Sequence, residues 1–238
     1  MTIILGGMLS LTSVGLKPLQ DQQVELDTKR KILGAVMDIS NLKTDQEVMD
    51  LYANRVTSSV VDINAEPITT DDRGNPLVAE RINIQKNHKR PKEDRYYPVF
   101  KVMSESDPSK VDAYVLPMFG AGLWDWISGF VALDKDLNTV RGVAFDHKQE
   151  TPGLGARITT PEVSNRYEGK EIFSDNGELV SVKMLKGESN SNLTEHEVDG
   201  MSGATLTAKG VNQMLSYYLE CYSTYIEKEK SGKSVASL

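Results

Sequence analysis

Between positions 20 and 39 apolar residues recur every three or four places. Val24, Ile32, Leu33, Val36 and Ile39 stand among charges, and this spacing predicts an amphipathic helix. A second helix follows, with Thr44 three residues before Glu47 in the arrangement of a capping box. Val48, Leu51, Tyr52 and Val56 supply its apolar stripe. A last, long helix is read over residues 206–228, where Val211, Leu215, Tyr218, Tyr222 and Tyr225 advance by fours and threes. Short apolar runs at 60–63, 113–118, 127–133, 139–145 and 179–183 read as strands. Residues 71–76 and 134–138 carry turn chemistry, and 134–138 joins two strands as a hairpin. Residues 84–110, rich in Lys, Asp, Ser and Pro, read as a surface excursion. A glycine-containing loop at 150–155 leads into a helix, and the segment up to Thr194 is loose. The strands follow one another without alternating helices. The expected fold is therefore α+β, a mostly antiparallel twisted sheet flanked by helices. The expected division is residues 1–19, then 20–110 with the surface insert, then a domain over 111–230.

Residues 2–16 are uncharged and mostly apolar, a stretch of about 15 where spanning a bilayer takes roughly 20. They lack the basic opening and small-residue cleavage site of a signal peptide. They read either as a buried or interfacial segment or as the outer part of a membrane helix.

Composition narrows the chemistry. The 238 residues are 39% hydrophobic and 26% charged, enough to bury a core. A net charge of −7 argues against nucleic acid, whose phosphates attract Lys and Arg. The one basic run, Lys86, Lys89, Arg90, Lys92 and Arg95, is broken by Glu93 and Asp94 and reads as a solvated loop. Cys221 is the single cysteine and falls on a helical apolar face, so it reads as a buried thiol. His88, His147 and His196 show no metal-ligand spacing, and no metal site is expected.

The segment Asp199-Gly200-Met201-Ser202-Gly203-Ala204-Thr205 stands just before the last helix. Gly200 and Gly203 permit a tight turn. Ala204 leaves room for something bulky against the backbone, and Thr205 falls at the helix N-terminus, where free N–H groups and the helix dipole favour an anion such as phosphate. The same residues also make an ordinary turn and helix cap. Gly120-x-Gly122 and Gly153-x-Gly155 are weak signals, since neither completes G-x-G-x-x-G. No nucleophilic triad is recognisable.

Asp199-Gly200-x-Ser202-Gly203-Ala204-Thr205 resembles the flavinylation motif of covalent FMN-binding domains. His147-x-x-Glu150-Thr151-Pro152-Gly153-Leu154-Gly155-Ala156 is similar to their flavin-pocket loop. Gly120-x-Gly122-Leu123-Trp124 and Asn138-Thr139-Val140 resemble their intervening strands. The N-terminal half resembles the C subunits of the Na⁺-translocating NADH:quinone reductase family. The resemblance implies that residues 111–230 form an FMN-binding domain. It implies FMN joined through its phosphate to Thr205, placed there by a separate flavin transferase that draws on FAD. Asp199 would then serve transferase recognition or orient the turn. Glu150, Thr151, Gly153, Leu154 and Trp124 would line the flavin, with Ser202, Gly203, Ala204 and Thr207 close to the anchor.

The same resemblance implies one-electron relay from an iron–sulfur centre to a flavin of a neighbouring membrane subunit, within a Na⁺-pumping NADH:ubiquinone oxidoreductase. Residues 1–19 would be the remnant of a membrane anchor, its beginning upstream. The localisation implied is a single pass through a bacterial inner membrane with the soluble domain periplasmic. The homologous G subunit of an Rnf-type ferredoxin:NAD⁺ complex, a flavin-containing membrane regulator and a flavin-free binding module are the alternatives.

Overall fold

A computed structural model describes residues 2–232. Its first helix, α1 (Thr2–Gly34), is one 33-residue rod, so the apolar opening and the charged amphipathic stretch share a single helix. Among the described residues no helix is long and apolar enough to cross a membrane. The helix ends at Gly34 and not at Ile39. There Val36 donates to Leu33 O in a tightened last turn, and glycine resists further helix. Leu26, Ile32 and Leu33 are buried, whereas Val24 is 61% exposed and lies outside the packed stripe. The capping box forms at α2 (Asp45–Arg55). Glu47 N–H donates to Thr44 Oγ1 at 3.2 Å, and Thr44 N–H donates to the Glu47 carboxylate at 3.0 Å. Val56, read as helical, instead starts β1 (Val56–Val61).

The segment read as a surface excursion departs most from expectation. It contains a short helix, α3 (Ile84–His88), and a central strand, β2 (Tyr97–Met103). Tyr97, Val99, Phe100 and Val102 are fully buried. The basic run before it is only partly the solvated stretch expected: Lys86 and Lys89 are exposed, but its end is not. Arg95 is only 7% exposed, and His88 bonds to Tyr218 Oη. The sheet continues through β3 (Val111–Ala121), β4 (Trp126–Asp134) and β5 (Val140–His147). Its order is β1-β2-β3-β4-β5, antiparallel throughout, with β2 paired directly onto β3 and β1 joined to the sheet through β2.

Strand alternation sorts the side chains onto two covered faces. Tyr97, Val99, Tyr114, Leu116 and Met118 face the closing helix, α5 (Thr205–Lys230). Phe100, Val102, Ala113 and Val115 face the C-terminal turns of α1 and α2. On α5 the expected stripe is the buried one, and Cys221 lies within it, its thiol pushed up by burial. The polypeptide between β5 and α5 is mostly irregular. Residues 155–159 form a 3₁₀ turn before the four-residue α4 (Pro161–Ser164). The strand expected at 179–183 shrinks to β6 (Lys183–Met184), paired in parallel with β7 (Glu197–Val198). Val180 is exposed and Ser181 takes a left-handed φ of 64°, which breaks extended pairing.

Candidate functional site

Thr205 is the first residue of α5 and is exposed. Its N-cap, Ala204, offers no capping side chain, and the first turn holds no acidic residue. The first N–H groups of a helix have no intrahelical partner. Here they stand open beside the Thr205 hydroxyl, at the positive end of the helix dipole. Among the described residues no side chain hydrogen-bonds that hydroxyl.

The turn before it is braced from within. Asp199 Oδ1 accepts from the N–H of Asn190 at 3.0 Å, from its side-chain amide at 2.8 Å and from Gly200 N–H at 3.0 Å. Oδ2 accepts from Ser189 N–H at 2.9 Å. Burial pushes the Asp199 carboxyl upward, but these donors outweigh it and hold it at about 2. Arg166 reaches in from behind, donating to Asp199 O and Gly200 O. The Arg157 guanidinium donates to Glu188 and, with a smaller contribution from Ser202, holds that carboxyl at about 2 against desolvation.

The Asp199 geometry predicts a pH response. The carboxyl sits below its ordinary 3.8, so it contributes stability above about pH 4 and loses it as pH falls toward 2. The melting-temperature gap between the native chain and Asp199→Asn should therefore be widest above pH 4 and close on acidification. A gap constant down to pH 2 would contradict the assignment.

On the other side of the anchor lies an exposed apolar shelf. Trp124 is 67% exposed, Leu206 57%, Leu123 41% and Leu154 40%. Trp124 Nε1 donates to Thr151 Oγ1 at 3.1 Å, which fixes the indole against the 150–155 loop. Gly203 takes a φ of +75°, and a Cβ there would lie 2.8 Å from Leu154 Cδ2, so glycine lets the turn sit flush with the shelf. Gly153 has a φ of +73° in the same loop.

Glu150 and Thr207 lie beneath this surface. Glu150 is 4% exposed and Thr207 is 1% exposed. Glu150 Oε1 accepts from Leu123 N–H at 2.7 Å and Trp124 N–H at 3.2 Å, and Oε2 accepts from Thr207 Oγ1 at 2.5 Å. The Glu150 N–H in turn donates to His147 Nδ1 at 3.2 Å. One carboxylate thus ties the 122–124 segment, the 150–155 loop and the first turn of α5 together. The flanking glycines make room for it. A Cβ on Gly122 would lie 2.3 Å from Oε1, and one on Gly155 would lie 2.4 Å from both Oε2 and Thr207 Oγ1. The resemblance placed Glu150 along the flavin and Thr207 close to the anchor. The structure brings them to the site but turns both inward, as the scaffold of the shelf. Thr205, Trp124, Thr151, Leu154, Ser202 and Gly203 stand at the surface, and Ala204 is buried beneath the turn.

Lys209 was missed. It is exposed one helical turn beyond Thr205, and the i, i+4 spacing sets both on one helix face.

Residues 122–220, which hold every one of these groups, match the FMN-binding domain family. The chain is 34% identical to the C subunit of the Na(+)-translocating NADH-quinone reductase of Pseudomonas aeruginosa, covering 93% of this chain and 89% of that protein. This chain belongs to the family of C subunits of Na(+)-translocating NADH-quinone reductases. The corresponding C subunit of Yersinia pestis is 31% identical over 92% of this chain and 86% of its own. Solved structures agree. The C subunit from Parabacteroides distasonis superposes with a TM-score of 0.73 at 32% identity, covering 89% of this chain and 96% of that one. NqrC of Shewanella oneidensis gives 0.74 at 26%, covering 88% and 99%. Membership of this family fits the antiparallel sheet flanked by helices and the FMN-binding assignment of the C-terminal part.

Proposed function

We propose that this chain carries FMN joined through its phosphate to Thr205 Oγ1 and relays electrons within a Na⁺-translocating NADH:quinone reductase. The observation that carries this reading is an exposed hydroxyl on the first turn of an uncapped helix, beside an exposed shelf of Trp124, Leu123 and Leu154. The residues present fit the group. Open N–H groups of α5 and the nearby Lys209 suit a phosphodiester. Trp124 and Leu154 offer apolar surface to a flat ring, and aromatic faces stack well. Thr207 donates its proton to Glu150, so the backbone of the first turn is the better phosphate partner.

The flavin, when bound, supplies one-electron redox chemistry. The chain's own residues hold it in place and leave one side open. Glu150 fixes the backbone that carries Trp124, and Asp199 with Glu188 fixes the turn that carries the anchor. A threonine hydroxyl is a weak nucleophile without an adjacent base. Among the described residues no base bonds to Thr205, so attachment falls to a separate transferase using FAD, to which the braced turn is presented as a rigid segment. The exposed shelf leaves room for partner membrane subunits to bring their redox groups close. The uncharged opening of α1 is assigned to the outer end of a single membrane anchor, with the sheet domain on the periplasmic side of a bacterial inner membrane.

Production of the chain with a flavin transferase tests this. The denatured protein should fluoresce as a band on a gel, and its mass should rise by one FMN less a water. Without the transferase it should fold and be colourless. A purified, transferase-exposed chain of unchanged mass would overturn the covalent reading.

A further inference from the structure

A cavity of about 830 Å³ opens between α5, the end of β3 and the segment that carries His88 and Arg95. This size suits a small organic ligand. We propose that it binds a small aromatic anion, a planar apolar body carrying a carboxylate or a similar group.

The charge argument begins at Arg95, more than nine-tenths buried yet lining the cavity. Its Nε donates to Arg90 O at 2.9 Å and its Nη1 to Tyr217 Oη at 2.9 Å, and the guanidinium lies over the Tyr217 ring. Among the described residues none of these partners is anionic. A guanidinium keeps its charge throughout the physiological range, and buried charge is costly without a counter-charge. Lys183 and Lys209 add positive charge to the lining. Glu220 is the one acidic lining residue, and it is ion-paired to Lys92 at 2.9 Å. His88 agrees with a positive interior: burial and then the Arg95 charge lower its pKa.

The walls call for an aromatic body. Phe119 and Tyr217 are only partly buried, and their rings lie 5.2 and 6.0 Å from that of His88. Met214 closes the apolar side. Apart from Lys209, which stands at the edge of both, this space is separate from the flavin shelf. A Cβ on Gly210 would lie 2.2 Å from Ala121 O, so α5 and the 121–122 backbone meet without a gap between the two. The proposal does not depend on the flavin reading.

The test uses the full chain carrying Thr205→Ala, which removes the flavin anchor. It is titrated with 2-naphthoate, with the neutral 2-naphthamide and with inorganic phosphate, followed by calorimetry. Naphthoate should bind about tenfold more tightly than the amide, the worth of one charge-assisted hydrogen bond. Lys183→Gln should weaken naphthoate several-fold and leave the amide unchanged. Ser216→Trp, which places an indole at an exposed lining position, should abolish both. Arg95→Met should cause the largest loss if it folds; the two surface variants decide the matter if it does not. Equal affinity for naphthoate and amide, binding indifferent to Ser216→Trp, or phosphate binding as tightly as naphthoate would each overturn the proposal.

Discussion

Thr205→Ala should eliminate the in-gel flavin fluorescence and the FMN mass increment together, while the fold is unchanged. The loss is expected to be complete, because no other hydroxyl of the motif combines exposure with the first position of α5. Ser202 lies in the turn before the helix, and Thr207 gives its hydroxyl to buried Glu150. Stability should shift by less than about 0.5 kcal/mol, the usual range for an exposed side chain that caps nothing. Thr205→Ser keeps the hydroxyl and should still be modified, at a lower yield if the methyl group helps to set its rotamer. Intact mass spectrometry of the three proteins, each made with the transferase, decides it. Fluorescence surviving in the alanine variant would move the anchor elsewhere.

The parts of this fold legible in the sequence are those written in local spacing. The capping box needs only Thr44 and Glu47, and the α5 stripe needs only the periodicity of one helix, so both form as read. The strand β2 was hidden because the polar residues of 84–95 and 104–110 outweigh the apolar run of Tyr97 to Met103 when the whole stretch is judged together. Its burial on both faces is a tertiary fact, since α1 and α2 cover one side and α5 the other. The reverse error occurred at 179–183, where an apolar run lacks a neighbour to pair with over most of its length.

At the site, motif order picked out loops that the fold brings together, but not the direction of each side chain. Trp124, Leu154 and Thr205 face outward, whereas Glu150 and Thr207 face inward. Nothing in the spacing distinguishes a carboxylate that touches a ligand from one that holds the backbone beneath it. The signal that was available lies in the glycines. Gly122 and Gly155 looked like fragments of a phosphate loop, yet their missing side chains clear the space for the two oxygens of one carboxylate.

That reading makes Glu150 the residue on which the shelf depends, and Glu150→Leu should cost about 2–4 kcal/mol. Leucine has a similar bulk but accepts nothing. The Thr207 hydroxyl would be buried without its acceptor, and the N–H groups of Leu123 and Trp124 would lose theirs. Those two N–H groups lie near the surface, where water can replace part of the loss, which keeps the figure below a full sum of three orphaned donors. Glu150→Gln retains one acceptor oxygen and should cost only about 1 kcal/mol. Gly155→Ala should produce a comparable lesion from the other side, about 1–3 kcal/mol, because its Cβ would sit 2.4 Å from both Oε2 and Thr207 Oγ1. Urea unfolding followed by far-ultraviolet circular dichroism gives the free energies, and Trp124 emission, read in a Trp126→Phe background, reports whether the shelf has loosened in the folded state. A Glu150→Leu chain as stable as the native one would mean that the carboxylate does not hold the loop. Glu150 would then be free to serve a ligand directly, as its position in the motif first indicated.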